Sequence, residues 1–285
     1  MTIQWFPGHM VETENLLKKA ITKVDVVLEI LDARLPQASA NPFVNKICKD
    51  KFRLKVLNKS DLADPEKTKS WLEYFEAQKE IPAISICGSQ KSQAYGALNY
   101  CLGKVKSNRA RKLKVMVVGI PNTGKSTILN TLAGKRIAKT GNVPAITRHQ
   151  QRTSLKNNID IYDTPGILWP VIETEQKAYI LAASGAISDT AIDYNDIGFF
   201  AANLLIKRYP ELLMQRYSFL KTLPKDELTL IEKIGHAKGC LKKGGIINYQ
   251  KASEALIREL RAGKIGRISF EKPEDLDHDH ETENN

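Results

Sequence analysis

The stretch from Val115 to Thr127, VMVVGIPNTGKST, constrains the fold of this chain more than any other. Val115 to Val118 reads as a buried strand, and Ser126 onward, STILNTLAGK, reads as a helix. Between them Gly119, Gly124, Lys125 and Ser126 keep the G-x-x-x-x-G-K-S spacing of a phosphate loop. The chemistry dictates those residue types. Gly119 and Gly124 let the backbone curl until successive N–H groups converge on phosphate oxygens. The following helix adds its positive dipole end. The Lys125 ammonium can reach the β- and γ-phosphates, and the Ser126 hydroxyl can ligate Mg²⁺. With the strand before it and the helix after it, the motif predicts a nucleoside triphosphate site in an α/β layer.

Two further segments sharpen the prediction. Asp163-Thr164-Pro165-Gly166 closes a strand 38 residues beyond Lys125. An acid there can hold Mg²⁺ through water, and the Gly166 N–H can meet the γ-phosphate. Asn58-Lys59-Ser60-Asp61 fits guanine recognition. The Asp61 carboxylate can accept from guanine N1–H and the exocyclic amine, donors that adenine lacks, so GTP is selected over ATP. Asn58 can bond the base and neighbouring backbone, and the Lys59 stem can lie against the ring. In the ordinary GTPase order the guanine motif follows the other two, whereas here it comes first. That is circular permutation, which a compact domain tolerates when its natural ends lie close together and the new cut falls in a loop.

Along the chain, strands are expected near 26–31, 54–57, 83–86, 115–118, 150–155 and 159–162. Helices are expected near 11–23, 43–50, 65–78 and 93–104, and after the phosphate loop. This alternation predicts a mostly parallel sheet with helices on both faces. Beyond residue 175 the strand signals fade, and helices are expected near 175–187, 195–208, 226–238 and 250–262. The expected organisation is a permuted GTPase domain over 1–178, a small all-α domain over 179–270 and an acidic disordered tail over 271–285.

Charge narrows the partners. The formal charge of +11 includes a tail, Glu271 to Glu283, with seven acids and one base, so residues 1–270 carry 42 bases against 25 acids. A body so basic fits a polyanion, most simply nucleic acid, with a merely basic soluble protein as the alternative. No apolar run approaches the ~20 residues of a membrane span. The start MTIQWFPGHM lacks the pattern of a signal peptide. Cys48, Cys87, Cys101 and Cys240 are scattered with no CxxC pair, which points to reduced thiols in a cytoplasmic protein rather than a disulfide framework or zinc site. No membrane partner is expected, and a monomer is.

FPGHM at 6–10, DAR at 32–34, NKSD, GIPNTGKST, DTPGILWP at 163–170, GAISD at 185–189 and the stretch from KGC to GGIINY at 238–249 together resemble the circularly permuted GTPases of the YlqF/YawG group. The likeness spans nearly the whole chain. It implies a GTPase acting late in large ribosomal subunit assembly, with the helical domain on ribosomal RNA. It further implies roles by position. GTP is held by Asn58, Lys59, Asp61, Ser85, Asn122, Thr123, Gly124, Lys125, Ser126, Thr127 and Gly166. Mg²⁺ is held by Ser126, Asp163 and the switch threonine Thr147, which follows Ala145 where the group usually has Gly. Asn122 matches the loop Asn of potassium-activated GTPases, so either K⁺ sits there or Asn122 only stabilises the loop. Lys125 and Thr147 act on the γ-phosphate. Ile167 stands where many GTPases place a water-orienting Gln, which implies slow hydrolysis until the ribosomal particle is bound. His9 is viewed in this group as the substitute for that Gln.

In the C-terminal third, Ala252, Leu256 and Leu260 share one helical face, and Lys251, Arg258 and Arg261 lie roughly opposite. Lys238, Lys242, Lys243, Lys264 and Arg267 extend the basic region around Gly244-Gly245. RNA phosphates are the expected contact, against a merely solvated face. The sequence therefore points to GTP hydrolysis that controls docking or release of an assembly factor on RNA. A nucleotide-gated RNA-binding module with incidental hydrolysis, or a signalling GTPase with a protein target, remain as alternatives.

Overall fold

The computed structural model describes residues 10–48, 51–105, 112–138, 151–155, 158–164, 166, 168, 172 and 174–276. Helices and strands alternate through the first part: α1 (Met10–Ile21), β1 (Val26–Asp32), α2 (Pro42–Ile47), β2 (Phe52–Asn58), α3 (Pro65–Gln78), β3 (Ala83–Ile86), α4 (Lys91–Lys104), β4 (Leu113–Val118), α5 (Lys125–Ala133), β5 (Gln151–Leu155) and β6 (Ile159–Asp163). The six strands form one sheet in the order β3-β2-β1-β4-β6-β5. The first five are mutually parallel, and β5 runs antiparallel on the edge beside β6.

The parallel arrangement accounts for the composition of the strands. All seven residues of β1, VVLEILD, are buried, as a central parallel strand with both faces covered requires. Successive side chains alternate between the faces. Val26, Leu28 and Ile30 join Leu54, Val56, Val115 and Val117 against Leu98 and Cys101 of α4 and Ile128 and Leu132 of α5. Leu31 and Leu57 pack instead with Trp71 and Phe75 of α3. The helix expected near 65–78 is α3; Pro65 opens it, and the Asp64 side chain caps it by accepting from Glu66 N–H and Lys67 N–H.

The rest of the described chain is helical: α6 (Glu175–Ser184), α7 (Tyr194–Arg208), α8 (Pro210–Arg216), α9 (Glu227–Ala237) and α10 (Tyr249–Arg261). Among the described residues, no helix is long and apolar enough to cross a membrane. The helix α8 was not expected from the sequence. With seven residues it is too short to show a period, although Pro210 marks its first position. Helices α7 and α10 approach at Gly198, where an added Cβ would lie 2.3 Å from the Ser253 Cβ. Glu259 of α10 is held by Arg216 at 2.9 Å, by Lys238 at 2.5 Å and by the Tyr217 hydroxyl at 3.1 Å.

The chain divides into two compact units, one over Glu173–Phe270 and one holding the sheet, which ends at Ile172 and takes up the chain again at Glu271. The division falls before α6 rather than at 178/179. Helix α6 is continuous, with Ile180 and Leu181 buried, and it packs against α7 and α10. The tail also differs from expectation over 271–276. The Glu271 carboxylate accepts from the Gln37 and Ala38 N–H groups, its carbonyl accepts from Trp71 Nε1, and Leu276 packs on the Trp71 cluster. Two backbone donors and an apolar seat outweigh the solvation that an acidic segment prefers. Residues 277–285 lie outside the described residues.

Candidate nucleotide site

Five parallel strands run the same way, so the loops that leave them emerge at one edge of the sheet. This is where open α/β sheets hold their ligands. Among the described residues, the guanine motif, the phosphate loop, DTPG and Ser85 all lie at that edge. NKSD starts at the last residue of β2, the phosphate loop follows β4, DTPG starts at the last residue of β6, and Ser85 lies near the end of β3.

The phosphate loop takes the curled form that its glycines allow. Gly119 has φ +151° and Gly124 has φ +92°. A Cβ on Gly119 would lie 2.4 Å from the Ile30 carbonyl oxygen, and one on Gly124 would lie 2.2 Å from Asn58 Nδ2. Asn122 also adopts a left-handed φ of 60°. Thr123 Oγ1 donates to the Ile120 carbonyl at 3.1 Å, and Lys125 Nζ donates to the same carbonyl at 2.7 Å.

Asn58 joins the segments. Its Nδ2 donates to the Thr123 carbonyl at 2.7 Å, and its Oδ1 accepts from the Gly88 N–H at 2.8 Å. One buried amide thereby fixes the guanine motif to the phosphate loop and to the loop after β3. The Ser60 N–H adds a bond of 3.1 Å to the Ile86 carbonyl. On the other side of the loop, a Cβ on Gly166 would stand 2.9 Å from Pro121 N and 3.0 Å from Lys125 Nζ. DTPG therefore abuts the phosphate loop closely enough to exclude any side chain at 166.

Residues 114–211 match a family model described as 50S ribosome-binding GTPase. A protein of Priestia megaterium called Ribosome biogenesis GTPase A is 42% identical over 289 residues, covering 97% of this chain and 99% of its own. Its namesake in Thermotoga maritima is 33% identical over 96% of each chain. The GDP-bound structure of Thermotoga maritima YlqF superposes with a TM-score of 0.67 at 31% identity, covering 91% of this chain and 99% of that one. The GNP-bound structure from the same organism gives 0.66 over 92% and 99%. The chain belongs to the ribosome biogenesis GTPase A family.

This ribosome biogenesis GTPase has GTP as its substrate. The electrostatics at its phosphate end are coupled. Asp163 is 5% exposed, and neither carboxylate oxygen accepts a hydrogen bond of regular geometry among the described residues. Burial pushes its pKa up to about 6, against the pull of Lys125. Burial likewise brings Lys125 down to about 8, against the pull of Asp163. A buried carboxylate of this kind suits a hard cation with oxygen ligands. Ser126 and Thr127 lie in the first turn of α5, half-buried, and Asp61 is exposed at the sheet edge. His9 and Thr147 lie outside the described residues.

Gly88 belongs to none of the motifs above, although its N–H braces Asn58. A Cβ there would meet Ile128 Cγ1 at 2.6 Å and Asn58 Oδ1 at 2.7 Å. Its signal was a glycine directly after Ser85-Ile86-Cys87. The expected RNA-contact residues of the helical unit differ in what holds them. Lys242, Lys243, Lys251, Arg258, Lys264 and Arg267 are exposed, Arg258 with an ion pair to Glu254 at 2.5 Å. Arg261 is not displayed with them. Its Nε and Nη2 donate to the Ala183 and Ala182 carbonyls at 3.1 and 2.8 Å, and its Nη1 meets Asp189 at 2.8 Å. A guanidinium on the last carbonyls of α6 completes that helix end, which explains why Arg261 turns inward. Lys238 is also exposed, but its ammonium is held on Glu259 within the unit.

Proposed function

We propose that this chain binds GTP across the sheet edge and uses its hydrolysis to control docking on, or release from, the RNA of a large ribosomal subunit precursor. The observation that carries the reading is the Asn58 amide, which binds the phosphate loop and the loop after β3 at once despite their separation in sequence. In this reading Asp61 accepts from guanine N1–H and its amine, Lys59 lies on the ring, and Ser85 supports O6. The N–H groups of Asn122 to Thr127, together with Lys125, surround the phosphates, and Gly166 N–H meets the γ-phosphate. Ser126, Asp163 and Thr147 are the residues for Mg²⁺, which neutralises charge between the β- and γ-phosphates when bound. Asn122 is the candidate for K⁺, and His9 for orienting the attacking water. The nucleotide-bound Thermotoga maritima structures support a nucleotide in this fold.

The exposed set Lys242, Lys243, Lys251, Arg258, Lys264 and Arg267 supplies the RNA contacts. Lys238 and Arg261 act within the helical unit instead. Co-sedimentation with ribosomal subunits tests the reading. Binding is expected with a non-hydrolysable GTP analogue, much less with GDP, and is expected to weaken steeply as salt rises. Association that ignores both nucleotide and salt would overturn it. A variant unable to hydrolyse GTP that still supports normal assembly would favour the RNA-binding module with incidental hydrolysis.

A further inference from the structure

The sheet edge carries one more motif, Asp32-Ala33-Arg34 at the end of β1, to which the proposed function assigns no task. Its geometry is tightly specified. Asp32 and Arg34 are each 3% exposed. Asp32 Oδ1 accepts from the Arg34 N–H at 3.1 Å and from Arg34 Nε at 2.9 Å. Its Oδ2 accepts from Arg34 Nη2 and from Lys59 Nζ, both at 2.8 Å. The backbone holds this carboxylate in place from three directions. Asp32 lies opposite Asn58 in the β1–β2 register, its N–H donates to Ser39 Oγ at 3.1 Å, and the Ala33 N–H donates to the Asn58 carbonyl at 2.7 Å. Lys59 itself sits at a left-handed φ of 61°, so its backbone direction is set as well.

Stability is a poor reason for such a cluster. A buried ion pair sacrifices hydration that an apolar pair of the same size would not, and replacing it with hydrophobic residues is often neutral or stabilising. What a buried, doubly bonded carboxylate supplies is a fixed direction for the third group it holds. A lysine stem left free carries about 2 kcal/mol of rotamer entropy, which is lost when a ligand orders it. An ammonium tied to Asp32 loses that freedom once, on folding, so the stem is already a wall when a base arrives.

We infer that Asp32, aligned by Arg34, is a positioning residue for base recognition: it pins the Lys59 ammonium so that the aliphatic stem of Lys59 forms one face of the guanine pocket. This rests on the reading of NKSD as the guanine motif. Arg34 serves the same pocket in a second way, because its positive charge lies within electrostatic reach of Asp61. One residue pair from the neighbouring strand would then anchor Lys59 and add positive charge near Asp61.

The test is equilibrium binding of fluorescent GTP and GDP to the full chain carrying Asp32→Asn, Lys59→Met or both. Lys59→Met keeps an apolar stem and removes only the anchor. Each single variant is expected to weaken GTP and GDP by the same factor, about tenfold, because the base end is affected and the γ-phosphate end is not. The double variant is expected to be no weaker than either single, since Asp32 acts through Lys59. A merely structural Asp32 would instead give losses that add. Losses that add, or a Lys59→Met chain that binds GTP like the wild type, overturn the inference, the latter whether or not Asp32→Asn folds. Asp61→Asn separates the two levels: an unchanged preference for GTP over ATP in that variant refutes the guanine motif itself.

Discussion

At the residue scale, the site depends on positions where a side chain has no room, and Gly124 is the most demanding of them. Its φ of +92° disfavours any L side chain, and an added Cβ would meet Asn58 Nδ2 at 2.2 Å. Asn58 cannot withdraw cheaply, because the same amide braces Thr123 and Gly88. Gly124→Ala is therefore expected to cost on the order of 2 kcal/mol of stability and to weaken GTP binding by about 100-fold or more. Calorimetric titration alongside a thermal melt checks both. A Gly124→Ala chain that binds GTP normally would mean that the Asn58 brace is not needed for the loop. Gly166 is similar for a different reason, since the nearest obstacle to its Cβ is the Pro121 backbone rather than the yielding end of Lys125.

At the scale of elements, two contacts that no local pattern reveals tie distant parts of each unit together. In the helical unit, Glu259 is 9% exposed and anchors Arg216, Lys238 and Tyr217. Burial raises its pKa, but the hydrogen bonds from Arg216, Lys238 and Tyr217 outweigh that and hold it at about 2. Its folded value is thus lower than its unfolded one. The stabilisation is complete above the ordinary value of 4.5 and is lost as the pH falls through about 2. Glu259→Gln is expected to cost on the order of 2 kcal/mol near neutral pH, with the deficit shrinking below about pH 4.5, as urea melts across that range would show. In the sheet unit, removing residues 271–285 takes away the acceptors for the Gln37 and Ala38 N–H groups and exposes the Trp71 cluster. Ending the chain at Phe270 is expected to lower stability by about 2 kcal/mol, read from the shift in the urea midpoint. These contacts also mark what the sequence could not display. The apolar run Val115–Val118, the helix over 65–78 and the motifs NKSD, GIPNTGKST and DTPG were legible, because each is a local signal with a local cause. Glu271 meets Gln37 across more than 200 residues, and its acidic surroundings signal solvation instead. Arg261 sits on the charged side of α10, and only packing against the end of α6 turns it inward. The anchoring of Lys59 on Asp32 is likewise a product of strand register, invisible until β1 and β2 are paired.

At the scale of the whole molecule, the proposed RNA contact has to be assigned among many basic residues, since total charge does not distinguish contact from solvation. Exposure and hydrogen bonding offer a criterion. Lys242 and Lys243 lie in a turn closed by Lys242 N–H on the Ile246 carbonyl at 2.7 Å and by the Leu241–Ile247 bridge. Gly244 and Gly245 follow at φ of +86° and +77°, and Leu241 and Ile246 are 40% and 64% exposed beside them. This projecting, partly apolar, basic tip contrasts with Arg261, whose guanidinium is engaged by carbonyls and an acid. Each phosphate contact releases condensed counterions, so the logarithmic slope of affinity against salt reports the number of such contacts. Replacing Lys242 and Lys243 by Ala is expected to reduce that slope by about 1.5 while leaving the melting temperature unchanged. Arg261→Ala is expected to do the opposite, lowering the stability of the helical unit with little change in the slope. If Arg261→Ala changed the slope as the lysine pair does, the two groups would be one phosphate-binding surface. The inward hydrogen bonds would then give way when RNA binds.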